Sequence, residues 1–196
     1  GQTDGDYNVS LGEQSLNALT TGNHNFAVGS NAGLSLTTGE HNIIIGSAAG
    51  DALTTTSNSV MIGRSAGSAI NSADANGTVL IGALAGEALT DGQYNTAIGT
   101  SALATEDTGN FNTAVGYEAL TTQNRDGTVN NTAVGYRAGY AVTTAYDSTL
   151  LGSNAGVSLT EGNGNTALGS NVMAGMTTGD FNTAVGVQAL NTEDVG

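Results

Sequence analysis

The chain has no cysteine, no proline, no tryptophan and no lysine. Without cysteine there is no disulfide, no thiolate metal site and no cysteine nucleophile. Arg64, Arg125 and Arg137 are its only strong cations, against 17 acids, for a net charge of −14. That balance argues against nucleic acid, whose phosphates demand clustered lysine and arginine, and against anionic membrane surfaces. No apolar stretch reaches the roughly 18 residues that a bilayer crossing needs, so membrane insertion is not expected. Aromatics at 5 % and charges at 10 % are too sparse for an ordinary globular core under a charged surface. Disorder fits no better, because 38 % of residues are apolar and proline is missing. The opening Gly1-Gln2-Thr3-Asp4 is neither an initiator methionine nor a signal peptide, and the chain reads as an excerpt of a longer one.

What the chain does have is glycine, and the glycines are periodic. An aliphatic residue followed by glycine recurs at Gly12, Gly29, Gly46, Gly63, Gly82, Gly99, Gly116, Gly135, Gly152, Gly169 and Gly186. The spacing is 17 residues except for two steps of 19, Gly63 to Gly82 and Gly116 to Gly135. Eleven copies therefore fill residues 1–196 as a single array with nothing left for a second domain. The extra residues fall around Asp74-Ala75-Asn76-Gly77 and Asn124-Arg125-Asp126-Gly127, which marks a loop on one face of a stack.

Each phase of the period has a physical reading. One residue before the glycine is always aliphatic, and three before it are Val9, Phe26, Ile43, Val60 and Val79, then Thr96, Thr113, Thr132, Thr149, Thr166 and Thr183. Alternation with β-branched residues over about four positions predicts a short strand that the glycine ends. Four before the glycine stand Asn8, Asn25, Asn42, Asn95, Asn112, Asn131, Asn165 and Asn182, replaced elsewhere only by Ser59, Thr78 and Ser148. Identical amides stacked about 4.8 Å apart predict a hydrogen-bonded ladder. Eight equal residues suit a ladder better than catalysis, which needs one special group. Three after the glycine, alanine holds nine of eleven copies, and the next residue alternates between leucine or methionine and glycine. An aliphatic three residues further on, such as Leu36, Leu53 or Leu89, is expected to fill the volume that the glycine leaves. Thr-Gly pairs such as Thr21-Gly22 and Thr38-Gly39 close the turns.

A 17-residue unit cannot hold two helices and their turns. The expectation is all-β: a parallel β-solenoid or β-roll of about eleven coils, ten steps of about 4.8 Å, roughly 50 Å long. Neither end carries an atypical capping copy, which again suggests a longer array. The near-invariant alanine and the Leu/Gly position predict close contact around an axis between intertwined or abutting chains, hence a homotrimer.

Asn112-Thr113-Ala114-Val115-Gly116-Tyr117-Glu118-Ala119-Leu120 and Asn131-Thr132-Ala133-Val134-Gly135-Tyr136-Arg137-Ala138-Gly139 resemble the N-T-A-V-G-Y-x-A-L repeats of bacteriophage tail-fibre proteins. They are similar also to the shorter head repeats of trimeric autotransporter adhesins. The resemblance covers all eleven copies and implies a trimeric β-solenoid in an elongated fibre, extracellular or on the virion surface. It implies a shaft or stalk that spaces an adhesive tip, with any host or cell-surface receptor met through flanking segments. The chain itself contains neither the chaperone domain nor the receptor-binding tip that tail fibres carry.

Other readings are weaker. His24 and His41 share a phase that Tyr7, Tyr94, Phe111 and Phe181 fill elsewhere, so a flat side-chain stack is favoured over a metal pair lacking a third ligand. Asp6, Glu40 and Asp180 share another phase, while Glu106-Asp107 and Glu193-Asp194 read as solvated turns rather than glycosidase carboxylates. The calcium-binding nonapeptide is absent, so neither a metal nor another cofactor is expected. Tyr117, Tyr136, Arg137 and Tyr140 form the best candidate surface for recognition of glycans or proteins, the alternative to a plain shaft. The six aligned threonines raise ice binding as a minor alternative, on a file expected to be half buried and aliphatic in the earlier copies.

Overall fold

The structure is a computed structural model and describes residues 5–192. Glu193 and Asp194 lie outside the described residues. The main sheet has eleven strands, in chain order Val9–Leu11, Phe26–Val28, Ile43–Ile45, Val60–Ile62, Val79–Ile81, Thr96–Ile98, Thr113–Val115, Thr132–Val134, Thr149–Leu151, Thr166–Leu168 and Thr183–Val185. Every neighbouring pair is parallel and in step, for example Ile43 opposite Val60 and Thr132 opposite Thr149. Each coil thus supplies one three-residue strand and returns through turns, which makes the fold a parallel β-solenoid. A second, two-stranded sheet pairs Gly109–Asn110 with Gly127–Thr128, at the second 19-residue step. The first 19-residue step carries instead a short 3-10 turn, Ala73–Ala75.

The coil closes because its backbone turns left-handed at fixed phases. The marker glycines have φ between +123° and +140°, which L side chains rarely adopt. A Cβ on Gly46 would also run into the carbonyl of Gly63 in the next coil, so steric packing forbids a side chain there twice over. Two and four residues later the backbone is left-handed again, and here many residues are not glycine, among them Glu118, Leu103 and Leu120. For such residues the conformation costs about 1–2 kcal/mol each, and the stacked coils enforce it.

The core runs inside the single chain. The middle residue of each strand is buried from Ala27 through Ala184, with Ile44, Met61, Leu80 and Leu150 among them. The alanine file faces the same interior, and Ala32, Ala49, Ala66 and Ala85 are fully buried. The sequence reading placed this alanine and its Leu/Gly neighbour at an axis between chains. Instead the coil is narrow enough that one chain fills its own interior, and the alanine contact is internal.

The Leu/Gly alternation is explained mainly by the strand. Small middle residues go with a large one six positions on, as in Ala97 with Leu103, Ala114 with Leu120 and Ala167 with Met173. Large middle residues go with glycine, as in Ile44 with Gly50, Met61 with Gly67 and Leu150 with Gly156. Where both are small, neighbouring coils fill the space: a Cβ on Gly33 would touch Leu16 and Ile44, and one on Gly139 would touch Leu120 and Leu150. The expected later aliphatic contributes at some copies, since a Cβ on Gly50 would meet Leu53 and one on Gly67 would meet Ile70. Interior volume is conserved per layer rather than per position.

Candidate functional site

The asparagine file is a ladder, and its geometry is more specific than amide stacking. Asn25 Oδ1 accepts the backbone N–H of Asn42 at 3.1 Å, and Asn42 Oδ1 accepts that of Ser59 at 3.1 Å. The amide Nδ2 donates to a turn carbonyl fourteen residues on: Asn8 to Gly22, Asn25 to Gly39, Asn42 to Thr56, Asn95 to Gly109 and Asn165 to Gly179. Direct amide-to-amide bonds occur between Asn25 and Asn8, Asn42 and Asn25, and Asn182 and Asn165. Asn8, Asn25, Asn42, Asn95, Asn131 and Asn165 thus each act as a spare piece of backbone, satisfying an N–H and a C=O that the tight turn leaves unpaired. Ser59 and Ser148 continue the accepting role through their hydroxyls, toward the N–H groups of Thr78 and Asn165.

A second ladder lies two residues earlier and runs in the opposite sense. Asn23 accepts the N–H of Asp6, Ser57 that of Glu40, Asn76 that of Ser57, Asn110 that of Gln93, and Asp180 that of Asn163. Sequence reasoning places Asp6, Glu40 and Asp180 in one phase but assigns them no ladder. The signal was an oxygen-bearing side chain in nearly every copy.

Aromatic residues stack as expected. Tyr7, His24 and His41 form a continuous pile with ring centroids 4.9 and 4.8 Å apart, and Tyr94 stacks on Phe111 at 5.5 Å. Among the described residues no group of three or more His, Asp or Glu is placed to hold a metal ion. No helix of the described residues is long and apolar enough to cross a membrane.

Tyr117, Tyr136, Arg137 and Tyr140 are brought together. Tyr117 and Tyr136 stack at 5.6 Å, and the Arg137 guanidinium lies 5.3 Å from the ring centre of Tyr136 and 5.0 Å from that of Tyr140. Arg137 Nε donates to Glu118 Oε2 at 2.6 Å. Desolvation works to raise the Glu118 carboxyl, but hydrogen bonds from Arg137 and Tyr117 outweigh it and hold it below the usual glutamate range. The two tyrosines cover each other's facing sides and Arg137 lies over Tyr136 as well, while both rings remain exposed to solvent. Arg125 lies elsewhere, 4.2 Å over Tyr146, and donates to the Thr144 carbonyl.

Glu106 overturns its sequence reading. It is fully buried, not part of a solvated turn. Its carboxylate accepts the Gly109 N–H at 2.7 Å and Gln123 Nε2 at 3.0 Å, and Gln123 Oε1 accepts Asn131 Nδ2 at 2.9 Å. Burial pushes the Glu106 carboxyl above the ordinary glutamate value, against the lowering effect of bonds from Gly109, Gln123 and the Arg125 backbone. Nothing local marks Glu106 as buried; its phase does, since Leu19, Leu36, Leu53, Ile70 and Leu89 hold the same interior position.

The outer face of the sheet is the largest feature without an internal role. The first and third residues of the strands point away from the core, and none of them is buried. Leu11, Phe26, Ile43, Ile98, Val134, Leu168 and Val185 are exposed. No charged residue occupies either outward position in any strand, although the chain carries 17 acids. The threonine file belongs to this face, half-buried at Thr96, Thr113, Thr132 and Thr149 and exposed at Thr166 and Thr183.

No known protein-family model, curated protein or solved structure matches the chain.

Proposed function

We propose that this chain is a non-enzymatic shaft segment of an elongated surface fibre, of the phage tail or cell-surface type, that spaces or displays an adhesive tip. The observation that carries the reading is the uninterrupted register of eleven parallel strands, each coil hydrogen-bonded to the next on several sides. Ten steps of about 4.8 Å make a rod of roughly 50 Å whose stiffness is a sum of identical neighbour contacts. Two ladders of side chains reinforce the same direction.

The shaft is a homotrimer on this reading, three copies abutting through the outer sheet face. A charge-free face lined with Phe26, Ile43, Ile45, Ile62, Ile81 and Ile98 on an otherwise acidic rod supports association, because exposed continuous apolar surface marks an interface. Three is the number that the tail-fibre resemblance implies. Sedimentation should give about three times the 19.3 kDa chain mass, and small-angle scattering an elongated particle. Ile45→Glu should release single chains whose circular dichroism remains β. A wild-type chain that stays monomeric at high concentration refutes the trimer, and a compact scattering profile refutes the shaft.

A further inference from the structure

Among the described residues the interior file is regular except in two successive coils, those of Gly99 and Gly116. The core file of leucine and isoleucine is interrupted in two successive coils, by Glu106 and Gln123, and resumes at Val142 and Leu159. The same level holds the second 19-residue step, so the turn carbonyl that other ladder amides reach is displaced from Asn112. Asn112 Nδ2 is buried with no partner, and so are Asp107 Oδ1 and Arg125 Nε. These are the buried side-chain polar atoms left unsatisfied among the described residues; Asn112 and Arg125 face this junction, and Asp107 lies one coil below it. Each unmet bond at the junction weakens it relative to its neighbours, because the group gave up water without replacement. At the first 19-residue step the ladder residue is Ser59, which has no amide to leave unpaired, and Ile70, Ala75 and Leu80 keep the interior apolar.

The outside of the same junction is the most heavily tied. Tyr117 stacks on Tyr136, Glu118 pairs with Arg137, and Arg137 covers Tyr136, all linking the coil before the insertion to the coil after it. Among the described residues this is the one ion pair, and the three arginine–aromatic contacts all fall at this junction or the next coil. We infer that the junction between the coils of Gly116 and Gly135 is a latched joint: the step at which the rod opens first, held closed by the surface clasp of Tyr117, Glu118, Tyr136 and Arg137. The clasp residues then brace the shaft instead of binding a ligand. The inference goes beyond the shaft reading by giving the shaft a defined point of yielding, and a uniformly stable rod would defeat it while leaving that reading intact.

Hydrogen exchange by mass spectrometry on the whole chain tests it, since local opening exposes the amides bonded across a step. Thr113, Leu120, Gly135 and Arg137 donate across the joint. Val60, Gly67, Gly82 and Leu84 donate across the first 19-residue step, which serves as the control. The joint amides should exchange at least about tenfold faster than the control amides. Arg137→Ala should widen the gap about tenfold further without changing the control. Glu106→Leu with Gln123→Leu, which restores the apolar file, should narrow it. Equal exchange at the two steps in the wild-type chain overturns the joint whatever the variants do. An Arg137→Ala effect spread evenly along the rod overturns the clasp.

Discussion

Truncating one rung of the asparagine ladder should cost far more at Asn42 than at Asn112, although the sequence makes the two equivalent. Asn42 is fully buried; its Oδ1 takes the Ser59 N–H at 3.1 Å, and its Nδ2 gives to the Thr56 carbonyl at 2.8 Å and to Asn25 Oδ1 at 3.0 Å. Asn42→Ala leaves the Ser59 N–H and the Thr56 C=O buried and unpaired, while Asn25 Oδ1 keeps the Asn42 N–H. At about 1–3 kcal/mol for each of the two orphaned groups, the loss is about 2–6 kcal/mol. Asn112 makes a single side-chain bond, Oδ1 to the Asn131 N–H at 3.2 Å, and its Nδ2 is already unpaired. Asn112→Ala orphans one N–H but removes one unsatisfied donor, so its net cost should lie within about 1 kcal/mol. The gap between the variants is then about 1–6 kcal/mol, readable from urea midpoints, with unchanged slopes as the check that the same surface unfolds. Equal destabilisation would refute the account in which the bonds of each rung, rather than the presence of asparagine, carry the stability.

Two further outcomes follow from the interior. Burial raises the Glu106 carboxyl, so folding holds a proton that the unfolded chain releases more readily. Its contribution is therefore fully present below the ordinary value of 4.5 and lost as pH rises through the raised folded value. Urea titrations of wild type and Glu106→Gln should converge at acid pH and separate toward neutrality, with the variant the more stable; a constant difference would contradict this. Ala97→Leu alone should overpack by about 1–3 kcal/mol and Leu103→Gly alone should cost about 2–5 kcal/mol. Together they reproduce the Leu80 and Gly86 arrangement of the coil before, so the double variant should return to within about 1 kcal/mol of wild type, and simple additivity of the two losses would refute shared layer volume.

Much of the fold was legible because a repeat states each constraint many times. Gly46 alone says little, but the same residue every coil, always after an aliphatic one, says that the backbone there accepts no side chain. The asparagine ladder was legible on the same grounds, as was the aromatic pile of Tyr7, His24 and His41. The second ladder was readable but unread, because its accepting members vary among Asn, Ser and Asp while sharing one accepting oxygen.

The sequence by itself determined the period, the strand in each copy, the parallel stacking and the ladder, since all of these follow from identical residues recurring in register. Only the tertiary structure decided which side of each strand faces inward. In Ile43-Ile44-Ile45 and Thr113-Ala114-Val115 three successive residues suit either side, and burial goes to the middle one because the narrow coil has room for it and its neighbours diverge outward. That choice turned alanine from an expected contact between chains into internal packing, and put the aliphatic and threonine files on the open face. The buried Glu106 and the clasp of Glu118 with Arg137 were likewise beyond local reading. Glu106 and Gln123 share the interior phase of the leucine file, and Glu118 and Arg137 share the phase two residues after the marker glycine, so each contact is a relation between chain levels that no single copy contains.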